Sequence, residues 1–225
     1  MKVRLAALFT GGKDSTYAAH LAEDLGELRY LVTMIPQRED SWMFHTVNIG
    51  LASLIAEAYG VEHVAASTSG VKEEELQDLR RVLEGLDVDA VVSGAIASNY
   101  QRRRIDKLCR QLGLRHITPL WGREPAELLG EMLEAGLRIM VTGVAALGLD
   151  ERWLGRILDE EALGELVELN RRYGINVCGD GGEVETLVLD APWFRYRVEI
   201  MEAERLWDGV RGVYHIRRAE LIPKG

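Results

Sequence analysis

The chain predicts an α/β fold, with a parallel sheet sandwiched by helices and a smaller C-terminal α+β domain after it. Three observations predict it. Apolar strand-like runs alternate with segments of helical spacing through the first half. The first run, Leu5 to Phe9, breaks into the two glycines Gly11 and Gly12 and then into a helical pattern. From Cys178 onward the chain alternates like strands without intervening helices.

The elements follow in order. After the opening strand, Ser15 leads a helix carrying Ala18, Ala19, Leu21, Ala22 and Leu25. Arg29 to Ile35 reads as a second buried strand ended by Pro36, and Gln37 to Trp42 as a polar loop. Thr46 to Tyr59 has helical spacing with Gly60 as its stop. His63 to Thr68 is a third strand, Glu73 to Leu86 a charged amphipathic helix, and Val88 to Ser93 a fourth strand closed by Gly94. Ser98 opens the next helix with Gln101 in the capping-box position, and Gly113 ends it. A second part begins near Arg115 to Trp121, with a soft boundary at residues 119–122. Pro125 suits a helix start, Leu137 to Thr142 a strand, Glu160 to Tyr173 a helix, and Arg195 to Ile200 and Val213 to Ile216 strands.

A chain of 225 residues can bury a substantial core. Its net charge of -9 disfavours a surface built for a polyanion. The two cysteines, Cys109 and Cys178, lie far apart without a C-x-x-C, which argues against a disulfide framework or a zinc knuckle. Neither a transmembrane-length apolar run nor a signal-type leader occurs, so a soluble cytoplasmic protein is expected.

A strand, a glycine loop and a helix start together make an anion cradle. Thr10-Gly11-Gly12-Lys13-Asp14-Ser15 is not a Walker loop, because Ala7 and Asp14 stand where that loop needs Gly and Ser or Thr. Asp14 beside phosphate oxygens implies a hard cation between them, namely Mg2+. In a parallel sheet, ligands sit beyond the carboxyl ends of the strands, so Met34, Ile35, Gly94 and Ala95 are expected to line the same crevice. A second unusual stretch is Cys178-Gly179-Asp180-Gly181-Gly182-Glu183-Val184-Glu185-Thr186. If Glu183 to Thr186 is extended, Glu183 and Glu185 share a face and need a metal, a cationic ligand or an arginine to hold them together. A glycine-rich hairpin with solvated acids is the plainer alternative.

Thr10 to Ser15 resembles the S-G-G-x-D-S pyrophosphate loop of the N-type ATP pyrophosphatases, with Thr10 for Ser. The Cys178 to Thr186 stretch is similar to the G-E-G-G-E-Y-E-T signature of the family that holds the diphthine-ammonia ligases, with Asp180 and Val184 for Glu and Tyr. Ser41 to Thr46, Ser93 to Arg102, Pro119 to Gly122 and Val141 to Val144 resemble further blocks of that family, in its order. The resemblance implies a Rossmann-like, HUP-type nucleotide-binding domain over residues 1–120 and a C-terminal α+β substrate domain over 121–225. It resembles the compact archaeal type.

The family chemistry implied is ATP-dependent amidation. A carboxylate of diphthine on translation elongation factor 2 attacks the α phosphorus of ATP, pyrophosphate leaves, and ammonia displaces AMP from the acyl adenylate. The resemblance implies ATP and Mg2+ as cofactors. It puts Lys13, Asp14, Glu183 and Glu185 in catalysis and Asp14 on the metal. It gives Thr10, Gly11, Gly12, Lys13, Asp14, Ser15, Met34, His45, Gly94 and Arg102 to nucleotide binding. Trp121 and Tyr100, with the two glutamates, suit a trimethylammonium group. His45 is equally readable as a capping or packing residue, and Trp42, Met43 and Phe44 as a flap or a hydrophobic staple. The expected partners are the diphthine-bearing factor and ammonium, with no stable nucleic acid and no membrane; a homodimer stays open. Adenylation of a tRNA base and a non-catalytic adenine-nucleotide module are the competing readings.

Overall fold

The apolar run at the start forms β1 (Arg4–Leu8), and the computed structural model describes residues 2–37, 48–71 and 74–225. Then come α1 (Lys13–Ala22), β2 (Glu27–Pro36), α2 (Ala52–Tyr59), β3 (Glu62–Thr68), α3 (Glu74–Glu84), β4 (Ala90–Val92), α4 (Asn99–Gln111) and β5 (Arg115–Ile117). The five strands pair in parallel in the order β3-β2-β1-β4-β5. The order reverses between β1 and β4, the kind of point beyond whose strand ends open α/β sheets bind their ligands.

The centre of the sheet, β1, β4 and the middle of β2, is buried on both faces, which is why these strands read as apolar runs. The edge strands β3 and β5 are largely half-buried or exposed. On one face Ala6, Val32, Met34 and Val91 pack with Leu79 and Leu83 of α3 and Ile105, Leu108 and Cys109 of α4. The alternate residues Leu5, Ala7 and Leu31 are buried too. Each fully buried leucine such as Leu79 contributes about 1.5–3 kcal/mol.

The remaining elements are α5 (Pro125–Glu134), β6 (Arg138–Val144), α6 (Glu160–Tyr173), β7 (Val184–Asp190), β8 (Tyr196–Trp207) and β9 (Gly212–Pro223). Their sheet is antiparallel, in the order β7-β6-β9-β8. The chain divides into two compact units. The first holds Met1–Thr10, Asp14–Glu57 and Val61–Trp121; the second holds Gly11–Lys13, Ala58–Gly60 and Gly122–Gly225.

Several boundaries differ from the sequence reading for local reasons. α1 ends at Ala22, so Leu25 lies beyond it and is 56% exposed instead of inner-facing. The helix expected from Thr46 is described only from Asn48, which takes a left-handed φ of 54°, and its first turn, Ile49–Leu51, is 3-10. Arg115–Ile117 pairs with β4 as the fifth strand of the first sheet and does not open the second part. Ser98 does cap α4, accepting the Gln101 N–H at 3.4 Å. Asp159 caps α6 through the Ala162 N–H at 2.8 Å, and Glu124 followed by Pro125 opens α5.

Candidate functional site

The loop after β1 is built from both its ends. At its entry the Thr33 hydroxyl donates to the Phe9 carbonyl at 2.7 Å and lies 2.8 Å from His63 Nε2. Its one proton is given to the carbonyl, so it accepts from an Nε2–H, and burial holds His63 below the ordinary histidine pKa. The Thr10 N–H donates to Ser15 Oγ at 3.2 Å, and the two hydroxyls are 3.2 Å apart. Gly11 has a φ of 78°, a conformation that strains any side chain. The expected hydroxyl at position 10 thus closes the loop onto the first turn of α1.

Residues 11–13 of the loop are anchored within the second unit. The Gly11 carbonyl accepts the Val188 N–H at 2.8 Å, and the Lys13 N–H donates to Thr186 Oγ1 at 3.2 Å. The Lys13 side chain is buried, and its Nζ donates to the Cys178 carbonyl at 2.5 Å. Thr186 and the Cys178 carbonyl were not singled out from the sequence as partners of Lys13. Only the fold brings them there, since Cys178 is 165 positions away.

Gly94 backs the loop from the end of β4. A methyl group there would lie 2.7 Å from the Asp14 carbonyl carbon and 2.8 Å from the Ser15 nitrogen. Met34, by contrast, is buried among the side chains under α3 and α4. Arg102 lays its guanidinium 4.2 Å from the Trp121 ring centroid, with Nε 3.8 Å from Asp106 Oδ2. Arg104 covers Tyr100 in the same way at 4.5 Å. The two aromatic rings nominated for a cation therefore already face arginines of α4. His45 and the Ser41 to Thr46 block lie outside the described residues.

In the glycine-rich stretch, β7 begins at Val184, one residue after Glu183. Glu183 turns back instead: its oxygens accept the Gly181 N–H at 2.8 Å and the Asn176 N–H at 3.3 Å. Gly179 at φ 70° and Gly182 at φ 85° make that turn. Glu185 lies in the strand opposite Gly143, and a methyl group on Gly143 would come within 3.1 Å of its Cβ. Cys178 is anchored by its N–H to Asn176 Oδ1 at 2.8 Å and by Sγ to the Pro125 carbonyl at 3.1 Å. Among the described residues, no three or more His, Cys, Asp or Glu side chains gather as a metal cage.

A glycine loop at the point where a parallel sheet reverses its strand order defines a Rossmann-like α/β protein with an anion cradle. Residues 1–116 match the family profile of the diphthamide synthase N-terminal domain, and residues 124–222 that of the diphthamide synthase C-terminal domain. The chain belongs to the diphthamide synthase family. It is 35% identical over 226 residues to a diphthine–ammonia ligase of Homo sapiens, covering 90% of this chain and 84% of the relative. The Danio rerio enzyme of the same name is 36% identical, with 90% and 88% covered. That of Schizosaccharomyces pombe is 32% identical over 90% of this chain but only 37% of the relative. A solved structure, a predicted subunit of tRNA methyltransferase from Methanocaldococcus jannaschii, is similar at a TM-score of 0.49 and 18% identity, covering 84% of this chain and 98% of that one.

Proposed function

We propose that this chain is an ATP-dependent carbon–nitrogen ligase that amidates diphthine on translation elongation factor 2, forming diphthamide, AMP and pyrophosphate. Relatives named diphthine–ammonia ligases over nine-tenths of the chain support the substrate and the nitrogen donor. The observation that carries the mechanism is the glycine loop at the β1/β4 reversal, closed by Thr10 and Ser15 and backed by Gly94.

In this reading the loop from Thr10 to Lys13 and the start of α1 hold the β and γ phosphates, where charge develops as pyrophosphate leaves. The Thr10 and Lys13 N–H groups are kept on Ser15 Oγ and Thr186 Oγ1. Lys13 brings its positive charge under the loop while the Cys178 carbonyl fixes its position. Asp14 fits Mg2+, because that ion takes one or two protein carboxylates and completes its shell with phosphate oxygens and water instead of a protein cage. When bound, the ion supplies charge neutralisation on the phosphates. Arg102 approaches the nucleotide from α4. Met34 acts from beneath, by setting the end of β2. His45, which precedes α2 in the sequence, stays a proposed nucleotide contact.

Glu185, for which Gly143 clears room, is the carboxylate we assign to the trimethylammonium group of diphthine. Glu183 shapes the loop that carries it. Residues 1–120 serve the nucleotide and residues 121–225 the protein substrate. Among the described residues no helix is long and apolar enough to cross a membrane, and a cytoplasmic site of action follows from the substrate proposed.

The test is product formation. AMP and pyrophosphate released only when the diphthine-bearing factor and ammonium are both present support the ligase. ATP bound but uncut under those conditions would overturn it.

A further inference from the structure

Ser93, His116 and Asp106, all in the first unit, form a hydrogen-bonded chain that the chemistry above does not use. Ser93 Oγ is 2.8 Å from His116 Nε2, and His116 Nδ1 is 2.6 Å from Asp106 Oδ1. The imidazole side chain is 3% exposed. A carboxylate only accepts, so Nδ1 carries the ring proton, Nε2 is the acceptor, and the Ser93 hydroxyl donates to it. The other Asp106 oxygen faces Arg102 Nε at 3.8 Å.

The order of groups is that of a hydrolytic triad. Ser93, however, is buried, and its N–H is tied to the Ile117 carbonyl at 3.0 Å, so the hydroxyl is no nucleophile for an incoming substrate. What it adjoins is more telling. The next residue is Gly94, where the Asp14–Ser15 peptide leaves no room for a Cβ, and the far end of the chain is Arg102, stacked on Trp121.

We propose that neutral His116 is a positioning residue for ATP: it locks the Ser93–Gly94 end of β4 behind the phosphate loop and, through Asp106, sets Arg102, so protonating it weakens nucleotide binding. This rests on the ATP reading given above. A second ring proton forces the Ser93 hydroxyl to turn from donor to acceptor. It also draws Asp106 into an ion pair with the imidazolium and away from Arg102. The groups that face the ring are Ser93 at the end of β4 and Asp106 and Arg102 on α4. Burial, the largest influence, lowers the His116 pKa; the hydrogen bond and charge of Asp106 raise it, and Arg102 lowers it. The net direction is downward, so the neutral form prevails at neutral pH. Affinity is then lost as pH falls below the ordinary histidine value of about 6.5.

The experiment is calorimetric titration of the full chain with MgATP at about pH 7.5 and about pH 5.5, on wild type, His116→Gln and Asp106→Asn, with thermal unfolding measured alongside. The nucleotide's own titration is common to all three proteins. Wild type is expected to lose up to about tenfold more affinity than His116→Gln over that range, the full tenfold being the ceiling for an imidazole at its ordinary pKa. Asp106→Asn, which removes the charge that stabilises the imidazolium, is expected to shift the loss to lower pH. A simple structural brace would lower the unfolding temperature and leave the pH dependence alone. The same loss in His116→Gln as in wild type would overturn the inference. If His116→Gln does not fold, an unshifted profile in Asp106→Asn overturns it instead. Wild type that binds no ATP at either pH would overturn the functional reading, whereas binding without pH dependence would overturn this inference alone.

Discussion

Gly94 is held to glycine by a contact and not by its backbone angles. Any Cβ meets the Asp14–Ser15 peptide at 2.7–2.8 Å, and no flexible side chain is there to yield. Gly94→Ala is expected to cost about 1–3 kcal/mol at that contact. Displacement of the loop should weaken ATP binding tenfold or more, read by calorimetry; unchanged affinity would contradict the packing described. Asp14→Asn should abolish AMP release with the thermal transition intact, and near-normal turnover would exclude the metal role. At this scale the sequence was informative where a function needs neighbours in the chain. Thr10 to Ser15 run through the loop into the first turn of α1, and their spacing alone separates them from a Walker loop. Met34 shows the limit: an apolar residue near a strand end has two faces to choose from, and the packing of α3 and α4 chose the buried one. The Ser93–His116–Asp106 chain left no trace in spacing, because its members stand 23 and 10 positions apart and meet only once β4, α4 and β5 are assembled.

Among the elements, α4, α5 and α6 carry their punctuation in the sequence. α6 starts at the Asp159 cap and stops at Gly174, whose φ is 74°. Asp159→Ala removes the acceptor of the Ala162 N–H and should cost about 1 kcal/mol of stability by denaturant unfolding. A loss below a few tenths would show that the cap bond contributes nothing. Ends without such signals were misjudged. Leu25 fits the helical period of α1, yet the chain turns after Ala22 and exposes it. Glu183 fits the period of β7, but two glycines let it curl back onto the Gly181 and Asn176 amides before the strand begins. Arg115–Ile117 reads only as lying near the soft boundary at residues 119–122, because a strand of three residues shows no sheet preference of its own.

For the whole molecule, alternation of strands and helices predicted a parallel sheet but could not rank its strands. The order β3-β2-β1-β4-β5 is a property of the fold, and it puts the ends of β1 and β4 together at the reversal. The antiparallel order β7-β6-β9-β8 was equally hidden, since β9 is inserted between β6 and β8 only in space. The net charge of -9 belongs to this scale as well: a single nucleotide needs only a local cradle of N–H groups and Lys13, which a molecule of that charge can still provide. The cradle is expected to grip pyrophosphate while the α phosphorus reacts. A crystal structure with Mg2+ and the α,β-methylene analogue of ATP tests it most directly. The β and γ phosphates are expected against Gly11, Gly12 and the start of α1 with the cation against Asp14; a nucleotide bound elsewhere, with those glycines facing solvent or protein, would contradict it.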